Sequence, residues 1–399
     1  MSDVKFFPPQ QNPLLVRLIQ SIFYIVAYFV YKIRLVVDEE EIAKLKALAD
    51  QRVVYLPNHS NLDDGFGLFL LSARAGQLFH YVVALEAFGG WVGKLMQKVG
   101  AYSIRRGVGD RTSIIQTLKI LQQPQCKLVI FPEGGCSYQN DTVMPFRPGA
   151  FELSFKALEK LARKNNDAIP DFYLVPITLK YRYPNATDQQ LDQALSRLET
   201  ALSLNPEEDN FYLRLRMIGV QILSNLETEY QVIPTETADY NHRMKILRQQ
   251  MLDYCESKLD ITPVVQLPNR ERIYKVQSII RSLTDLDKQS TIDYEHIYWT
   301  TVRLLNFDAI YDGYVAENPT KERFFDTIDR LEREVFRIDR PKYKGRRQIV
   351  VKIATPINLK DHWQQYQSDR FESSTVTANQ SVIDDLTKLS QQLVQANLD

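Results

Sequence analysis

Apolar runs and periodic apolar spacings alternate along the first half of the chain, switching between the period of a strand and that of a helix. Residues 33–37 (IRLVV), 53–56 (VVYL), 80–85 (HYVVAL), 127–131 (KLVIF) and 172–181 (FYLVPITLKY) are short, apolar and rich in β-branched or aromatic side chains. Such runs predict strands. Between the first two lies EEEIAKLKALAD (39–50), helical in spacing with acids in its first turn, and a second helical stretch runs from Asp64 through GFGLFLLSARA. Strands that are apolar throughout, separated by helices, predict an α/β fold with a mainly parallel sheet covered on both faces.

Past Tyr183 the pattern changes. Thr187 followed by Gln190 predicts a capping box for a helix carrying Leu191, Leu195, Leu198 and Leu202. FYLRLRM (211–217) alternates and predicts a half-buried strand. Helical spacing returns at Met244, Leu247, Met251 and Cys255, and at Phe324, Ile328, Leu331, Val335 and Ile338. QIVVKIATPI (348–357) has the strand character of the first half. Residues 367–380 have a linker's composition, and Ser381 with Asp384 predicts a cap for a final helix carrying Ile383, Leu386, Leu389 and Leu393. The expected organisation is an N-terminal helix and lead-in strand (1–38), a core (39–183), a mostly helical insertion without an assigned role (184–345), and a returning strand with a C-terminal helix (346–399).

The N-terminal helix adds a question of placement. Leu15, Leu18, Ile19, Ile22, Phe23, Val26, Phe29 and Val30 share one helical face, with aromatics and flanking Arg17 and Lys32. That pattern suits a helix lying in a membrane interface. The apolar stretch between Arg17 and Lys32 is shorter than the roughly 20 residues of a span. The expected location is therefore the cytoplasmic face of a membrane, peripheral or monotopic; a single span and an ordinary core helix are the other placements. Lys+Arg and Asp+Glu both number 49, so no basic field favours nucleic acid, and none is expected as a partner. Cys126, Cys136 and Cys255 fit neither a disulfide framework nor metal-ligand spacing, and no metal is expected.

Four short segments carry candidate chemistry. In NHSNLDD (58–64), a histidine at a strand end is followed five residues later by Asp64 at a helix start. The carboxylate can hold one ring nitrogen and leave the other free to take a proton. No serine or cysteine nucleophile is needed when the substrate brings its own hydroxyl. GAYSIRRG (100–107) sets Arg105 and Arg106 between glycines, an arrangement suited to an anion. LVIFPEGGCS (128–137) leads a strand into Glu133, Gly134 and Gly135, a turn whose backbone admits close approach; FRPGAF (146–151) then places Arg147 before a Pro-Gly turn. In LVPI (174–177), Pro176 interrupts a strand, as at an irregular edge or the wall of a site.

The order of these segments resembles the four blocks of the glycerophosphate and lysophosphatidate acyltransferase family: His-x4-Asp, Gly…Ile-x-Arg, Phe-Pro-Glu-Gly and Val-Pro-Ile, across about residues 53–182. The resemblance implies transfer of a fatty acyl group from coenzyme A or acyl-carrier protein, used as substrate with no separate cofactor, to the hydroxyl of a membrane lipid. It makes His59 and Asp64 the catalytic pair and Arg106 the holder of the acceptor's phosphate. It assigns Glu133 and Gly134 to acceptor binding and Pro176 to the acyl-site wall. The chain departs from the family's pattern at Ser103 (usually aromatic), Arg105 (usually acidic), and Gly135 with Cys136 (usually Thr-Arg), so one arginine expected near the phosphate is missing. Arg105 and Arg147 are candidates to replace it. The expected acceptor is 1-acyl-glycerol-3-phosphate; an acyltransferase for a phosphate-free lipid alcohol and a catalytically silent lipid-binding scaffold are the alternatives.

Overall fold

The computed structural model describes residues 6–398 other than 206–208, 234–238, 285–291, 309 and 372–379. Its strands are β1 (Ile33–Val36), β2 (Arg52–Pro57), β3 (His80–Ala84), β4 (Ala101–Ile104), β5 (Lys127–Val129), β6 (Phe172–Arg182), β7 (Arg347–Ile353) and β8 (Ile357–Asn358). They form one sheet in the order β1-β7-β6-β2-β5-β3-β4, with β8 on β6. Pairing is parallel except where β6 meets β7 and β8. A parallel neighbour requires a crossover, and helices α2 (Glu39–Ala47), α3 (Asp64–Ala75), α4 (Gly90–Lys98), α5 (Arg111–Leu121) and α6 (Gly149–Lys164) lie in those crossovers, after α1 (Pro13–Phe29). Side chains of β2 alternate between the two faces. Val54 and Leu56 enter the core beneath α6, while Val53 and Tyr55 enter the core beneath α3. This is the expected α/β fold: a mostly parallel sheet flanked by helices.

Between β6 and β7 come α7 (Asp188–Ala201), α8 (Phe211–Glu229), α9 (Tyr240–Lys258), α10 (Asn269–Thr284), α11 (Tyr294–Asn306), α12 (Tyr314–Glu317) and α13 (Lys321–Phe336). They share a core of their own around Leu195, Ile218, Leu247, Phe325 and Ile328. The Thr187–Gln190 capping box is present. Arg182 of β6 pairs with Gln348 of β7, so the chain leaves the sheet and re-enters it at adjacent register. Helices α14 (Trp363–Phe371) and α15 (Gln380–Ala396) close the chain.

Several expectations are corrected. Residues 211–217 are the start of α8, not a strand: the Asn210 side chain accepts from the Tyr212 and Leu213 N–H groups, and Leu215, Ile218, Ile222 and Leu226 are buried at helical spacing. The misleading polar position is Arg214, buried because it forms ion pairs with Asp192 and Glu199. The proposed linker is helical through Phe371, and its residues 372–379 lie outside the described residues. Ser381 falls inside the first turn of α15 and Leu389 is exposed. Ile338 lies beyond the end of α13, where Arg337 turns left-handed. Pro176 is not at an edge, since β6 lies between β2 and β7. Its missing N–H falls where the antiparallel neighbour breaks, between Ile353 opposite Ile177 and Ile357 opposite Leu174.

Among the described residues no helix is long and apolar enough to cross a membrane. α1 buries one face on α3. Gln20 donates to Ser72 Oγ at 2.9 Å and to the Gln77 carbonyl at 3.0 Å, and Phe23 meets the rings of Phe66 and Phe69. The face expected to be single is split. Ile19 and Phe23 pack inward, while Leu14, Leu18, Ile22, Ile25 and Phe29 are exposed. A helix apolar nearly all round does not reveal from its spacing which side the core takes.

Candidate active site

β2 ends in Pro57, and the Asn58 side chain extends the ladder beyond it. Asn58 accepts from the Leu179 N–H at 2.7 Å and donates to the Leu179 carbonyl at 3.0 Å. His59 therefore leaves the sheet at the C-terminal end of β2, facing the first turn of α3. Its Nδ1 lies 2.9 Å from Asp64 Oδ2. Asp64 is 0% exposed, and also accepts from the Asn61 N–H at 2.9 Å and the Tyr181 hydroxyl at 2.8 Å. Burial pushes the Tyr181 phenol's pKa well above its ordinary value, so it remains a donor. A proton on Nδ1 directed at a fixed carboxylate leaves Nε2 as an acceptor. The His59 side chain is 21% exposed, and its ring lies against Phe131, centroids 4.3 Å apart. Asp63 is committed elsewhere, to Arg347 at 2.6 Å and Arg340 at 2.8 Å.

The Pro-Glu-Gly-Gly turn after β5 fixes the backbone of His59. Glu133, 2% exposed, accepts from the His59 N–H at 2.6 Å and from the Met144 N–H at 3.1 Å. Burial pushes its carboxyl up to about 8. Ser137 N–H donates to the His59 carbonyl at 2.7 Å. Both oxygens of Glu133 thus brace the loop that carries the histidine.

Helix α10, from the insertion, lies across this turn. Arg270 donates to the carbonyls of Gly135 and Cys136 at 3.2 and 3.4 Å. A Cβ on Gly135 would fall on the Tyr274 hydroxyl, and one on Gly134, whose φ is +70°, would lie 2.6 Å from Arg147 Cζ. Threonine at 135 would thus collide with α10, which accounts for glycine there. Arg106 donates to the Tyr274 hydroxyl at 3.1 Å, lies 4.3 Å from that ring's centroid, and is 3.5 Å from Glu86. Arg147 lies 5.7 Å from the same ring and pairs with Glu271.

The structure brings together His59, Asp64, Glu133, Gly134 and Gly135, with Arg106 and Arg147 both near the Tyr274 ring. It does not bring Arg105, which turns back to Asp110 at 3.7 Å, or Pro176, which is buried in the sheet. Asn58, Phe131, Tyr181, Arg270 and Tyr274 belong to the site without having been singled out by sequence. Tyr181 sat at the end of a predicted strand, a signal that was available. Among the described residues no cluster of His, Cys, Asp or Glu is suited to a metal ion. The model of the Acyltransferase family matches residues 34–180. That stretch contains His59, Asp64, Arg106, Glu133 and Arg147, and it is similar to that family.

Proposed function

We propose that this protein transfers a fatty acyl group from a coenzyme A or acyl-carrier-protein thioester to the free hydroxyl of 1-acyl-glycerol-3-phosphate, a step of phospholipid synthesis. The observation that carries the reading is the His59 Nδ1–Asp64 contact of 2.9 Å beneath a partly exposed ring. His59 Nε2 takes the acceptor's hydroxyl proton as the oxygen attacks the thioester carbon. Backbone N–H groups near the His59–Asp64 turn meet the oxyanion. Collapse breaks the C–S bond, and the imidazolium returns its proton to the leaving thiolate. Asp64 holds the tautomer and steadies the imidazolium. The intact pair weighs against a silent scaffold; no release of free thiol from an acyl thioester with a lipid acceptor present would restore that alternative.

Arg106 and Arg147 favour a phosphate-bearing acceptor, because a phosphate leaving water needs compensating charge. A phosphate-free alcohol is the second reading, favoured by Cys136 at the usual arginine position and by Glu86 and Glu271 already facing the two arginines. The test compares kcat/KM for a lysophosphatidate and its dephosphorylated monoacylglycerol in wild type, Arg106→Ala and Cys136→Arg. The phosphate reading expects Arg106→Ala to raise KM for lysophosphatidate roughly ten- to a hundredfold, the loss of a charge-assisted pair. It expects little change with monoacylglycerol. A wild-type preference for the monoacylglycerol would reverse the assignment.

The exposed stripe of α1 supplies a place for the membrane. Leu14, Leu18, Ile22, Ile25 and Phe29 lie on the side away from α3. Replacing Leu18, Ile22, Ile25 and Phe29 with serine is expected to shift the protein from pellet to supernatant when it is sedimented with phospholipid vesicles. The melting temperature should hold, because none of the four is in the core. Unchanged sedimentation of the folded variant would remove α1 as the contact.

A further inference from the structure

A cleft of about 220 Å³ opens between α11 and α13, and its lining includes His296, Trp299, Arg303, Arg333, Glu334 and Arg337. Asp293, Glu295 and Glu334 share its lining with the three arginines. Glu334 is committed to Arg303, at 2.9 Å, and Arg303 is further paired with Glu229 at 2.5 Å. Asp293, on the same wall, is the N-cap of α11 and accepts from the His296 N–H at 2.9 Å. Among the described residues Arg333 pairs with none of these carboxylates; its guanidinium meets the Tyr138 side chain instead. Its Nε and Nη1 are buried and have no hydrogen-bond partner among the described residues. A guanidinium withdrawn from water with idle donors is costly, and the groups best suited to its fork are phosphate and carboxylate oxygens.

The cleft is also linked to the catalytic loop. The Arg333 guanidinium lies 4.2 Å from the centroid of the Tyr138 ring. Tyr138 follows Ser137, whose N–H holds the His59 carbonyl. Two residues before Tyr138 stands Cys136, and its thiol lies close enough to Arg333 to feel its charge.

We propose that the α11–α13 cleft binds a phosphate group through Arg333 and Arg337, and that this group belongs to one of the two substrates of the neighbouring site. The ligand's role as a substrate rests on the acyl-transfer reading; the binding itself does not. Both substrates carry such a group: the acceptor in its headgroup, the donor in its pantetheine and nucleotide phosphates.

The test is isothermal titration calorimetry on the full chain with pyrophosphate, coenzyme A and glycerol 3-phosphate, in wild type, Arg333→Gln, Arg337→Gln and Arg106→Ala. Arg337 is exposed at the end of α13, so its variant remains informative if Arg333→Gln misfolds. At least one probe is expected to bind wild type and to lose at least about tenfold in Kd in Arg333→Gln, the loss of one charge-assisted pair. A smaller loss is expected in Arg337→Gln. Loss confined to coenzyme A assigns the cleft to the donor; loss confined to glycerol 3-phosphate assigns it to the acceptor. Arg106→Ala should leave pyrophosphate and coenzyme A bound, since the acyl-transfer reading places only the acceptor's phosphate at Arg106. Equal affinities in wild type and both cleft variants, or no binding of any probe, overturn the proposal. Phosphate binding without thioester turnover would overturn the acyl-transfer reading and leave the cleft standing.

Discussion

His59→Ala is expected to lower kcat/KM for acyl transfer at least about a hundredfold, the lower range for losing a general base. Alanine leaves nothing within reach of an acceptor hydroxyl to take its proton. The loop should keep its shape, because Glu133 and Ser137 hold the backbone of residue 59 and not its ring. Asp64→Asn is expected to be nearly as harmful for a different reason. The buried carboxylate accepts from His59, Asn61 and Tyr181, and an amide nitrogen turned toward any of them opposes a donor with a donor. An asparagine oxygen kept on Tyr181 would present its NH2 to both Nδ1 and the Asn61 N–H, which share the other carboxylate oxygen, fixing the wrong tautomer. Initial rates of thiol release, with circular dichroism to verify folding, read both variants. Full turnover by a folded His59→Ala protein would eliminate the general-base mechanism.

Gly107→Ala is expected to destabilise the protein by about 2–4 kcal/mol, combining a left-handed backbone penalty with overpacking. The φ at Gly107 is +77°, and an added Cβ would overlap the Tyr274 carbonyl carbon and lie 2.5 Å from the Lys275 nitrogen. These are backbone atoms of α10 and cannot rotate away, so the helix must lift or the loop must deform. A total stability of roughly 5–15 kcal/mol makes that a large share. In a chain of this size it corresponds to a fall of about 2–5 °C in Tm. Gly109→Ala is the control, since nothing lies within 4 Å of its added Cβ. Differential scanning calorimetry of the two variants decides the matter, and equal melting would mean that α10 is not seated on this loop.

The parts of the site that sequence made legible are those whose partners are close along the chain. His59 and Asp64 are separated by one turn and a helix start, and the strand before them was readable from Val53 to Leu56. The apolar runs of the first half gave the sheet for the same reason: a strand buried on both faces has one composition wherever it sits. Long-range partners left no such trace. Arg270 and Tyr274 reach the Gly134–Cys136 turn from a helix that looks like any other amphipathic segment. Nothing in their neighbours marks them as part of a catalytic region. Glycine at 135 was the visible half of that contact, and without Tyr274 it read only as a departure from a pattern. FYLRLRM failed because Arg214 behaves as a buried residue once two acids neutralise it, which reverses the meaning of its place in an alternation. The Arg105–Arg106 pair divided because the loop's own Asp110 was available to the first and only α10 and Glu86 to the second.

The pairing of Arg182 with Gln348 has an evolutionary corollary. The two ends of the helical excursion are clamped side by side by the β6–β7 ladder, so the sheet closes its hydrogen bonds whatever lies between them. Loop-closure entropy rises only by about 0.6 kcal/mol for each doubling of length, and helices with their own core repay their own ordering. An appended layer at this seam could thus be acquired, enlarged or exchanged in a lineage with little cost to the ancestral sheet. The freedom ends where the layer touches the catalytic loops. Gly135 is where the catalytic loop makes room for Tyr274, and a chain without α10 would be free to carry a side chain there, whereas Gly107 would still be held by its positive φ.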